Sequence, residues 1–161
     1  MKKAILAIFF MAAVLMPLSA AEYKWENNPQ DTAALEKSVA KAAREFNFVI
    51  RKIASSRLRK ATTPYKTITL TINDDKVAFA RDGKDPINAV IGGPAVQWLD
   101  NKVTFVRLSN GSLKQTFIAE DGQREFLYVF NADGSLTIKV KLASEKLKNP
   151  MEYTLKYVPV K

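Results

Sequence analysis

From Thr67 to the end of the chain, apolar and polar residues alternate with a period of two, and tight-turn pairs interrupt them at roughly ten-residue intervals. Ile68, Leu70 and Ile72 stand against Thr67, Thr69 and Thr71, and Leu136, Ile138, Val140 and Leu142 stand against Thr137, Lys139 and Lys141. Side chains of a β-strand point to opposite faces in turn, so this pattern predicts half-buried strands. Further strands are expected over 76–81, 95–99, 103–108, 113–119, 125–130 and 151–158. The turns between them are Asn73-Asp74-Asp75, Asn110-Gly111, Asp121-Gly122 and Asp133-Gly134, residues that accept the left-handed dihedrals of hairpins. The expectation is an antiparallel up-and-down meander of about eight strands. Its two edges must be hidden, and curling into a barrel or half-barrel does so. A flat sheet with a helix laid across it is the alternative. Glu125 to Phe130 is apolar on both faces, which favours the curled sheet.

Ahead of the meander, residues 33–59 contain neither Gly nor Pro. Leu35, Val39, Ala42, Phe46, Val49 and Ile53 recur at helical spacing, and Asp31-Thr32 supplies an N-cap. A helix over about 31–59 would be ~40 Å long, more than a small domain is wide, so a break is expected near Asn47-Phe48. The fold class is α+β, mainly β: one long amphipathic helix over 31–59, then the meander over 66–158, in a single domain of residues 22–161.

Residues 1–21 read as a secretory signal. Lys2-Lys3 precede an uncharged apolar run from Ala4 to Met16, and Ser19 and Ala21 sit where a signal peptidase reads small residues. Thirteen apolar residues fall short of the ~20 that span a bilayer. With no Cys there is no lipobox, so the expected product is a soluble periplasmic or secreted protein and not an integral membrane protein. Removing Lys2 and Lys3 lowers the net charge from +9 to +7. The absence of His and Cys excludes imidazole-assisted Ser or Cys nucleophiles, disulfides, and zinc or copper sites built on these ligands. Asp74-Asp75, Glu120-Asp121 and Asp133 fall in turns, with no carboxylate pair placed for glycoside hydrolysis. No enzyme, metal or cofactor is expected.

The stretches Gly111-Ser-Leu-Lys-Gln-Thr-Phe117, Asp121-Gly122, Tyr128-Val-Phe130, Asp133-Gly-Ser-Leu136 and Tyr153-Thr-Leu-Lys-Tyr157 share their rhythm with one known group. Over residues 66–158 the chain resembles the calycins, the lipocalins and fatty-acid-binding proteins, in architecture. That resemblance implies a barrel holding a fatty acid, retinoid or other apolar molecule. The group's signatures differ here: Tyr23-Lys24-Trp25 lacks the Gly of the lipocalin Gly-x-Trp, and Leu155-Lys156-Tyr157 replaces the Arg-x-Tyr of the fatty-acid-binding proteins. Those proteins also carry their helices between the first two strands, whereas this helix is expected before all of them.

Following the apolar face of each strand places Arg81 after Val77 and Phe79, Arg107 after Val103 and Phe105, and Gln115 between Leu113 and Phe117. Two guanidiniums and an amide facing a cavity suit a carboxylate or phosphate head group. Strand-end Arg residues reaching water are the plainer alternative. Tyr128, Tyr153 and Tyr157 are further donors or ordinary core. Trp98 and Trp25 either line a pocket mouth or pack. Gly92-Gly93-Pro94 is a turn.

The first expectation is therefore an exported protein holding an apolar, anionic small molecule such as a fatty acid or lipid, with Arg81, Arg107, Gln115, Tyr128, Tyr157 and Trp98 as its binding residues. The second is an interaction protein with a filled core. It would meet an envelope partner or anionic surface, not nucleic acid, through Lys41, Arg44, Arg51 and Lys52 on the helix. The pattern sets no oligomeric state.

Overall fold

The structure, a computed structural model, describes residues 20–161; the expected signal segment therefore lies outside the described residues except for Ala20 and Ala21. Ten strands form one antiparallel sheet: β1 (Ala21–Trp25), β2 (Thr67–Asn73), β3 (Lys76–Arg81), β4 (Ile87–Val90), β5 (Val96–Trp98), β6 (Asn101–Arg107), β7 (Leu113–Ala119), β8 (Gly122–Phe130), β9 (Leu136–Ser144) and β10 (Met151–Pro159). Two helices, α1 (Pro29–Ala43) and α2 (Phe48–Thr62), lie between β1 and β2. The sheet order is β4-β3-β2-β1-β10-β9-β8-β7-β6-β5, so chain ends meet in the middle of the sheet and its two free edges are β4 and β5. Those edges face each other. Ile91 bridges Phe105 in parallel fashion, and Gly92 N–H donates to the Phe105 carbonyl at 2.7 Å. The result is a nearly closed barrel, the calycin-like architecture.

Three expectations are corrected. The described residues form ten strands, not eight, because β1 and β4 are strands too. The long N-terminal helix is two helices, and they follow β1 instead of preceding every strand, which is where fatty-acid-binding proteins carry theirs. The first helix begins at Pro29 with Asn28 as its cap, not at Asp31-Thr32: the Asn28 side chain accepts from Asp31 N–H at 2.7 Å, and Pro29 has no N–H to leave unpaired. The break falls where length demanded it. Asn47 caps α2 by accepting from Ile50 N–H at 3.2 Å, and residues 44–47 turn the chain.

β1 pairs with β10 only from Tyr23↔Pro159 to Trp25↔Tyr157, which would leave the first residues of β10 with a bare edge. Helix α1 covers it. Its Ser38 hydroxyl donates to the Glu152 carbonyl at 3.0 Å, and the Asp31 carboxylate accepts from Lys156 N–H at 2.9 Å. An edge strand is thus satisfied by side chains in place of a neighbouring strand. Leu35, Val39, Ala42 and Ala43 form the buried stripe of α1. The barrel interior is packed with aromatic rings from β3, β6, β7 and β8: Phe79 lies 6.0 Å from Tyr128 and 6.5 Å from Phe105, and Phe117 lies 5.8 Å from Phe126.

Candidate functional site

Aromatic packing fills one end of the barrel and leaves the other open. At the open end a cavity of about 860 Å³ lies between α2 and the strand ends. Its helix wall is Ile50, Ile53, Ala54, Leu58 and Ala61; Phe117, Leu142 and Leu147 form the opposite side. This is the size and apolar character of a small-molecule site.

Two cations stand among those walls. Arg81, the last residue of β3, places its guanidinium 4.5 Å from the Tyr65 ring and 4.5 Å from the Trp98 ring. Cation–π contact with two rings restrains the guanidinium head. Arg124, near the start of β8, lies 6.0 Å from the centre of Phe126. The Nε atoms of both Arg81 and Arg124 are buried without a hydrogen-bond partner among the described residues. A buried donor left unpaired costs about 1–3 kcal/mol, so each Nε weighs on the ligand-free barrel. The remaining cations of the lining, Arg57 and Lys146, are at the rim, where Lys146 pairs with Asp121 at 3.1 Å.

Of the residues singled out from the sequence, Arg81 and Trp98 line the cavity. Arg107 does not. It is exposed at the opposite end of the barrel, where its Nη2 donates to the Asp74 carbonyl at 3.1 Å across the gap between sheet edges. Gln115 and Tyr128 are fully buried among the aromatic rings, away from the cavity lining, and the Tyr128 hydroxyl donates to Gln115 Oε1. Tyr157 is buried as well, with its hydroxyl donating to the Tyr65 carbonyl at 2.8 Å. Burial holds the phenols of Tyr128 and Tyr157 well above the ordinary tyrosine range and pushes Tyr153 up to about 12, so all three stay neutral donors. Trp25 sits on β1 opposite Tyr157, outside the cavity lining. Lys41 lies exposed on α1, Arg44 at its C-cap, and Arg51 and Lys52 on α2, so the basic face is divided between two helices. Arg124 is the residue the sequence pattern missed, although it shares a face of β8 with Phe126 and Tyr128.

Among the described residues, no helix is long and apolar enough to cross a membrane, and no group of three or more His, Cys, Asp or Glu could hold a metal ion. No protein-family model matches the chain, and no curated protein matches it in sequence.

Proposed function

We propose that this protein is an exported carrier for an apolar molecule with an anionic head group, a fatty acid or related lipid. The observation that carries the reading is the presence of Arg81 and Arg124 in the lining of a largely apolar cavity of about 860 Å³. An alkyl chain gains ~0.8 kcal/mol for each CH₂ taken out of water, so the walls supply affinity. The guanidiniums supply orientation: the carboxylate or phosphate lies inward against Arg81 and Arg124, and the tail runs under α2 toward the rim. A cavity of this size weighs against an interaction protein with a filled core.

The test is native mass spectrometry of the protein purified from its own host, followed by denaturing extraction and displacement of a fluorescent fatty acid. A bound apolar anion of defined mass supports the reading, together with at least about tenfold weaker uptake by Arg81→Met. A clean apo mass with no uptake of the fluorescent probe overturns it.

A further inference from the structure

The first turn of α2 is the least protein-like part of the surface. Phe48 and Val49 are 85% and 82% exposed, and Ile53 one turn on is 57% exposed. Across the cavity mouth, Leu99 is 73% exposed in the turn joining β5 to β6. Large apolar side chains are ordinarily buried, and a cluster this exposed marks a surface that meets something apolar. The helix that carries it has five cations, Arg51, Lys52, Arg57, Arg59 and Lys60, and no acidic residue. Arg59 is tied to Glu36 of α1 at 3.0 Å; Arg51 and Lys52 stand exposed beside the apolar turn, with Arg44 just before it.

We infer that this end of α2 docks onto an anionic lipid bilayer, with Phe48 and Val49 entering the acyl boundary and Arg44, Arg51 and Lys52 contacting the lipid phosphates. Two features select a bilayer as occupant. The most exposed of the apolar residues, Phe48 and Val49, stand in the first turn of α2, and an interfacial helix buries its apolar side chains only about 5–10 Å into the bilayer. They are ringed by cations with no counter-charge on α2, which complements an anionic surface and adds about tenfold or less in affinity per cation at the membrane. Because α2 is one wall of the cavity, docking brings the cavity mouth to the bilayer surface. The docking surface itself stands whatever the cavity holds, and its failure would leave the carrier reading intact.

The experiment is co-sedimentation of the purified protein with vesicles of phosphatidylcholine alone and of phosphatidylcholine containing phosphatidylglycerol, across a salt series. Binding to the anionic vesicles that weakens as salt rises is the expected result, with little binding to the neutral ones. Phe48→Ser combined with Val49→Ser should lower partitioning about tenfold or more while leaving thermal unfolding unchanged, since both side chains already face water. Arg51→Gln combined with Lys52→Gln should lower it comparably and flatten the salt dependence. Equal binding to both vesicle types, absence of binding to either, or full binding by the Phe48/Val49 variant overturns the inference. A dimer in solution that the Phe48→Ser, Val49→Ser variant dissolves assigns the patch to a second copy of the chain and overturns it as well.

Discussion

The Tyr128 hydroxyl donates to Gln115 Oε1 at 2.5 Å inside the barrel, and Gln115 Nε2 has no partner among the described residues. The pair is a polar bond in an aromatic interior, and its members depend on one another. Tyr128→Phe removes the donor and leaves a fully buried amide unsatisfied, which should destabilise the protein by about 2 kcal/mol in denaturant unfolding. Replacing both, with Gln115→Met added, should recover most of that loss. Additive losses in the double variant would show that the bond is not what matters.

Arg81 should behave in the opposite way. Its stacking on Tyr65 and Trp98 is favourable, about 0.5–2 kcal/mol for each contact, but its buried Nε is unpaired. The two terms nearly offset. Arg81→Met should therefore change the stability of the ligand-free protein by no more than about 1 kcal/mol while lowering affinity for an anionic ligand at least about tenfold. A large stability loss would mean that the guanidinium serves the barrel and not a ligand.

The edge of β10 offers a third test. Asp31 accepts from Lys156 N–H at 2.9 Å and lies in the first turn of α1, so Asp31→Ala uncovers the strand and weakens the helix start together. A loss of about 1–2 kcal/mol is expected, with faster amide exchange at Lys156. Asp31→Asn, which keeps an acceptor, should lose less.

Alkali should unfold the barrel. A tyrosine whose pKa is raised in the folded state keeps its proton when the unfolded chain gives it up, so stability is full below about pH 10 and falls as pH rises beyond it. Tyr153, held at about 12, removes about 2 kcal/mol by that pH, and Tyr128 and Tyr157 act in the same direction. The phenolate absorbance of these three should appear together with loss of structure. Their titration near pH 10 in a folded protein would contradict the burial described here.

Gly122 opens β8 at the cavity rim, and a Cβ there would strike the Ala143 carbonyl oxygen and sit 3.0 Å from the Ser144 Cα on β9. Both atoms are backbone and cannot step aside. Gly122→Ala should cost about 1–3 kcal/mol, measured by thermal unfolding, and an unchanged midpoint would refute the close approach.

Much of this architecture is written in local patterns. The eight longer-range strands announce themselves through alternation and hairpin residues, and β7 spans the predicted residues 113–119 without adjustment. β1 stands apart from the meander and finds its partners only across the helices, and β4, Ile87-Asn-Ala-Val90, is followed by no hairpin pair of Asn-Gly or Asp-Gly type. Missing β4 had a consequence for the site. In a meander, strands run alternately up and down, so in an eight-strand count without β4 Arg81 and Arg107 end strands that run the same way. With β4 inserted their strands run oppositely, and so Arg81 reaches the cavity and Arg107 the far turn. Arg124 was hidden for a related reason: the strand was started at Glu125, one residue too late to include it, whereas β8 begins at Gly122.

The seam between β1 and β10 joins Tyr23 to Pro159, and Val160 N–H donates to the Glu22 carbonyl at 2.9 Å. Start and finish of the described chain are thus neighbours, and the opposite seam, at Ile91 and Phe105, is spanned by a loop of few residues. Topologically the molecule is a ring cut at an arbitrary point. Joining the ends through a short linker and reopening the chain near Gly93 would conserve every strand pair of the sheet. It would also turn the pairing of β1 with β10, the one of longest sequence separation in the sheet, into a pairing of neighbours along the chain, which lowers the contact order of the fold.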